Sequence, residues 1–169
     1  MNDKKTRRLI LTALFTALTC VATLIIRIPT PSKGYVNLGD CMVLMSAWVL
    51  GPAYGAAAAG IGSMLADVFA SYTAYAPATL VIKALMAVAA ALIFKAGAKS
   101  GKATASRFLG GAAAEIIMVG GYFLFEAVLY GAATGALGIP ANIGQGIFGL
   151  VSAIVLYRVT GHFLKGGEN

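Results

Sequence analysis

A handful of polar side chains stand where an apolar chain has little reason to place them. Asn37 and Asp40 lie in the stretch Gly34–Asp40, between two hydrophobic runs. Asp67, Lys83, Glu115 and Glu126 lie inside such runs, with Tyr122 one turn before Glu126. Asn142 and Gln145 open the last run. An ionisable residue at mid-helix in a bilayer costs roughly 2.5 to 3.5 kcal/mol on insertion scales, so each is expected to face a cavity or a partner. Carboxylates, one ammonium, three carboxamides and a phenol make a set for hydrogen bonding and ion pairing. Two plainer readings stay open. Asp40 is a good N-cap for the helix that follows it. Lys83 could pair with Glu126 or Asp67 and simply tie helices together.

Other chemistry lacks its residues. The sequence has no His-Glu-x-x-His, no Gly-x-Ser-x-Gly and no phosphate-binding Gly-x-x-x-x-Gly-Lys-Ser/Thr. Asp40, Asp67 and Glu126 stand singly rather than as a metal-binding cluster. Cys20 and Cys41 read as packing residues at different depths. His162 is the single histidine. Neither an enzyme nor a metal or cofactor protein is expected. A self-sufficient transporter or channel is the rival class.

The elements that must position these residues are membrane helices. Of 169 residues, 59% are hydrophobic and 11% charged, and the mean hydropathy is +0.84. Soluble domains are about a quarter charged. The fold class is therefore all-α, an integral membrane bundle. Its six spans are expected over residues 9–28, 41–50, 54–70, 77–95, 108–130 and 142–163, in one membrane domain over 1–169. Pro29-Thr30-Pro31-Ser32 stops the first span, and Gly51-Pro52 turns a hairpin of two short helices. The stretches 71–77, 95–107 and 131–140 read as loops. The first run is long enough to span and lacks a cleavage pattern, so no signal peptide is expected.

The net charge of +7 reads as topology, not as a nucleic-acid surface. Lys4, Lys5, Arg7, Arg8, Lys95, Lys99, Lys102, Arg107, Arg158 and Lys165 fall on one side of a six-span bundle; Arg27 and Lys33 fall on the other. Ten against two places both ends in the cytoplasm. The basic 95–107 segment also suits anionic lipid. By depth, Asn37, Asp40, Asp67, Lys83, Glu126, Asn142 and Gln145 then converge on the outer half. Glu115 lies nearer the inner end and is expected to snorkel or to pair with a cytoplasmic base. Trp48 reads as an inner-face anchor, and Tyr35, Tyr72, Tyr75 and Tyr130 as interfacial aromatics. Tyr122 is deeper. Polar groups confined to one half argue for a pocket rather than a pore. Aromatic walls with one Lys and several acids or amides suit a small planar polar molecule.

Tyr35-Val36-Asn37-Leu38-Gly39-Asp40, Leu50-Gly51-Pro52-Ala53-Tyr54-Gly55, Gly60-Ile61-Gly62-Ser63-Met64-Leu65-Ala66-Asp67 and Tyr75-Ala76-Pro77-Ala78-Thr79-Leu80-Val81-Ile82-Lys83 together resemble the substrate-binding S components of energy-coupling factor (ECF) vitamin transporters. Within them, the riboflavin-type group is the nearest likeness, which includes proteins for hydroxymethylpyrimidine- or pyridoxine-like vitamins. The resemblance implies capture of a vitamin in an outward-facing pocket under a lid formed by the loop after the first span. It implies a transmembrane coupling subunit and two cytoplasmic ATPase subunits as partners, in the bacterial cytoplasmic membrane. Ala13 and Ala17 match the family's Ala-x-x-x-Ala contact for the coupling subunit. Asn37, Asp40 and Lys83 match the ligand-contacting motifs. Tyr122, Glu126, Asn142 and Gln145 join them on depth and chemistry.

Overall fold

The computed structural model describes residues 3–165, and side chains over 4–160. The side chains of His162 and Lys165 lie outside the described residues. Six helices run in chain order: α1 (Asp3–Ile25), α2 (Gly39–Leu50), α3 (Pro52–Phe69), α4 (Ala76–Lys99), α5 (Ala103–Tyr130) and α6 (Ala132–Lys165). Between α1 and α2 stand two short strands, β1 (Arg27–Pro29) and β2 (Tyr35–Asn37), paired antiparallel with Ile28 opposite Val36. Four of the helices are long and apolar enough to cross a membrane: Lys4–Ile25, Ala76–Lys99, Ala103–Tyr130 and Ala132–Thr160. Large apolar side chains face outward, such as Leu14 and Val21 on α1, Ile116 and Val128 on α5, and Val151 and Val155 on α6. Such a surface suits lipid rather than water.

The core is α2. It is apolar nearly all round, as a helix enclosed on every side should be. It packs against α1, α3, α4 and α6, and Val43, Leu44, Ala47 and Trp48 are buried there. Gly51, at φ +80°, ends α2 in a conformation that favours glycine, and Pro52 starts α3 with its fixed φ. The predicted short hairpin of helices is thus present. Trp48 is not an interfacial anchor. It lies inside the bundle, edge-on to the Tyr157 ring at 5.9 Å.

Three stretches differ from the sequence reading. Residues 27–37 form the β-hairpin rather than an irregular loop. Residues 95–107 are almost wholly helical, with only Ser100–Lys102 between α4 and α5 and Gly101 at φ +74° making the turn. Residues 132–140 belong to α6, with Pro140 inside the helix. Gly131, at φ +90°, turns the chain alone. The small residues that follow are a contact surface: a Cβ on Gly135 would stand 3.0 Å from the backbone of Phe123 and Ala127 on α5.

Candidate functional site

The β-hairpin lies over one end of the bundle and is fastened to three helices and to the segment before α4. Tyr35 on β2 donates its hydroxyl to Asp67 Oδ1 of α3 at 2.6 Å. Ser32, in the turn, donates to Glu126 Oε1 of α5 at 3.0 Å, and its carbonyl accepts from the Tyr75 hydroxyl at 3.2 Å. The Asn37 N–H donates to Gln145 Oε1 of α6 at 2.6 Å. Burial and the Asp67 carboxylate beside it push the Tyr35 phenol well above its ordinary range, so it stays a donor.

Beneath the hairpin is a small cavity. Its walls come from α1 (Thr23), α3 (Ser63, Asp67), α4 (Thr79, Lys83), α5 (Tyr122, Glu126) and α6 (Asn142), with Tyr75 just ahead of α4 and Gly34, Tyr35 and Asn37 from the hairpin. Helical spacing brings them there. Tyr75, Thr79 and Lys83 are four apart, as are Ser63 and Asp67, and Tyr122 and Glu126, so each set shares a face. The free space is about 20 Å³. That is the scale of one water, against roughly 300 to 1,000 Å³ for small-molecule sites.

Five of the seven candidates from the sequence line this cavity: Asn37, Lys83, Tyr122, Glu126 and Asn142. Asp40 and Gln145 stand behind it. Lys83 pairs with Asp40, not with Glu126 or Asp67; both partners are fully buried. Gln145 Nε2 donates to the other Asp40 oxygen at 2.5 Å. The chain Lys83–Asp40–Gln145–Asn37 thus joins α4, α2, α6 and β2 in one hydrogen-bonded series. α6 comes this close because residue 149 is glycine: a Cβ there would stand 2.7 Å from Asp40 Cβ. Asp40 is therefore no cap. The Asn37 side chain takes that part, accepting from the Gly39 N–H at 2.8 Å. The Lys83 ammonium also lies 5.5 Å from the centre of the Tyr122 ring, within cation–π range.

Glu115 departs from its expected place. Because α5 begins at Ala103, residue 115 is at mid-helix rather than near an end. Its side chain is buried against Gly146 of α6, and neither carboxyl oxygen has a hydrogen-bond partner. Asp67, Tyr35, Tyr75, Ser63, Thr79 and Thr23 are cavity residues that the candidate set omitted. Thr79 and Ser63 carried a legible signal, each one turn before an intramembrane charge. Gln145→Ala should remove its bonds to Asn37 and Asp40 and leave Asp40 Oδ2 buried without a donor. A loss of about 1 to 3 kcal/mol is expected, read as a lower thermal unfolding midpoint in detergent.

Comparison with known proteins gives a consistent likeness. The family model for the S component of ECF-type riboflavin transporters matches residues 3–161. An uncharacterised protein of Pyrococcus woesei is 38% identical over 146 residues, 86% of this chain and 93% of that protein. The thiamine precursor transporter HmpT of Lactococcus lactis subsp. cremoris is 28% identical over 158 residues, 92% of this chain and 89% of the relative. Among solved structures, the S component of a bacterial ECF transporter superposes with a TM-score of 0.75 at 25% identity, covering 95% of this chain and 99% of that one.

Proposed function

We infer the function from one premise: this chain belongs to the family of ECF-type riboflavin transporter S components. It is a multi-pass protein of the cell membrane that serves vitamin uptake, and proteins of this family bind and transport rather than catalyse. We propose that the cavity under the hairpin is the vitamin site and that Asn37, Lys83, Tyr122, Glu126 and Asn142 touch the ligand. Asp40 and Gln145 hold Lys83 and the hairpin in register. The observation that carries this reading is the cavity itself, lined by phenols, carboxylates, an ammonium and two amides, and roofed by a hairpin tied to the bundle at several points. The hairpin is the lid. In the conformation seen, it leaves too little space for a vitamin, so binding requires it to lift.

The six helices each cross the membrane in this reading, within one domain, with both ends cytoplasmic and the hairpin outside. The short α2 is accommodated because protein surrounds it. The ligand is a small heteroaromatic vitamin, of the pyridoxine or hydroxymethylpyrimidine type, or riboflavin. Uptake runs with a transmembrane coupling subunit and two ATPase subunits. Ala13 and Ala17 support the contact: both are exposed on α1, amid the exposed Leu9, Ile10, Leu14 and Leu18, and small residues let a partner helix approach.

Purified protein titrated with riboflavin, pyridoxine and hydroxymethyl-aminopyrimidine tests the function, together with mass spectrometry of any molecule released on denaturation. Tight binding of at least one vitamin without turnover is expected. Product formation would favour an enzyme, and transport by the protein alone in liposomes would favour a self-sufficient carrier. Replacing Ala13 and Ala17 together with Trp should leave binding unchanged and abolish uptake in cells carrying the coupling subunit and ATPases. Unchanged uptake would remove that face from the interface.

A further inference from the structure

The cavity holds more buried acid than it holds cation. Lys83 is committed to Asp40. Two further carboxylates line the wall, Asp67 and Glu126, exposed by only 3% and 2%. Each takes its hydrogen bonds from hydroxyls: Asp67 from Tyr35, and Glu126 from Ser32 and Tyr75, while the Lys83 ammonium acts on Asp67 only through space. Each then keeps one buried oxygen, Asp67 Oδ2 and Glu126 Oε2, with no hydrogen-bond partner. Other basic residues near this end are elsewhere engaged or exposed: Lys33 sits over the Tyr130 ring, and Arg27 is exposed on β1.

A buried carboxylate without a positive partner is among the costliest arrangements in a protein. A cation placed between the two would turn that cost into charge-assisted hydrogen bonds. The tyrosines around the same space add ring faces, which attract a planar cation. We propose that the ligand is a cationic or readily protonated nitrogen heterocycle, held by Asp67 and Glu126 as its counter-ions. An aminopyrimidine is the simplest member of this class. Protonated on the ring nitrogen next to its amino-bearing carbon, it presents two parallel N–H donors, the geometry that a carboxylate accepts in bidentate fashion. Asp67 thereby becomes a specificity residue alongside Glu126.

This inference rests on the reading of the cavity as a vitamin site. The test uses three probes on purified protein: hydroxymethyl-aminopyrimidine, its oxo counterpart in which a carbonyl replaces the amino group, and riboflavin. The amino compound should bind at least tenfold more tightly than the oxo compound. Asp67→Asn and Glu126→Gln should each reduce that ratio at least fivefold. A ratio measured within one variant does not depend on the fraction of protein that folds. Tighter binding of riboflavin or of the oxo compound, or a ratio unmoved by either substitution, would overturn the charge assignment and leave the vitamin site standing. Failure of all three probes, and of pyridoxine as well, to bind protein with a normal thermal transition would overturn both.

Discussion

Lys83→Met is expected to cost about 3 to 5 kcal/mol of stability, because it strands the Asp40 carboxylate in the interior. Asp40 is fully buried, and its remaining donor would be Gln145. Methionine keeps most of the lysine's length, so the loss would come from charge rather than from a void. The single substitution should lower the unfolding midpoint sharply and also abolish tight ligand binding. Removing the charge from both sides separates these effects. Lys83→Met with Asp40→Asn leaves an amide that still accepts from Gln145 and carries no net charge, and breaking such a pair from both sides is far milder than from one. The double variant should recover much of the stability but not the binding, since the ammonium over Tyr122 is gone. Recovery of both would make Lys83 a structural tie alone. A Lys83→Met protein as stable as the parent would contradict the ion pair itself.

The hub at Asp40 also shows how far the sequence can be read. That Asp40 and Lys83 stand out follows from charge at the edge of one apolar run and inside another. That they face one another does not, since they are 43 positions apart on helices whose rotation no local pattern sets. The same gap explains Asp67. Its depth was legible, but not the Tyr35 hydroxyl that holds it. The number and order of the helices followed from the apolar runs and their Gly and Pro breaks. Several departures share one cause: small or basic residues read as loop serve as contacts or as helix ends. Gly135 and Gly138 read as linker, yet they are where α6 meets α5 and the hairpin. Lys95 and Lys99 read as a polar connection, yet they continue α4 beyond its apolar part. Glu115 was misplaced for that reason, since an α5 starting at Phe108 would put it nearer an end. The hairpin was hidden because strands of three residues, one containing Pro29, give no alternation to detect.

The proposed lid can be locked where it meets α6. A Cβ on Gly138 would stand 3.1 Å from Ser32 Cβ. A disulfide needs about 3.5 to 4.5 Å between those atoms, so the hairpin turn must yield by a few tenths of an ångström. Ser32→Cys with Gly138→Cys, in a background with Cys20→Ala and Cys41→Ala because both native thiols are free, should therefore form a cross-link on oxidation. Closed, the cavity offers about 20 Å³, and a ligand sees only the fraction of molecules whose lid is raised. Apparent affinity falls in proportion to that fraction, so an oxidised lid open less than about 1% of the time would slow association about a hundredfold or more. Thiol reduction should restore it. Strain at residue 138, or loss of the Ser32–Glu126 bond, burdens the reduced and oxidised forms of the same molecule alike, so the comparison reads the lock and not the substitution. Ligand bound before oxidation should be trapped, or should itself prevent the bond from forming. Equal association rates in the two states would mean that the ligand reaches its site by a route other than the hairpin.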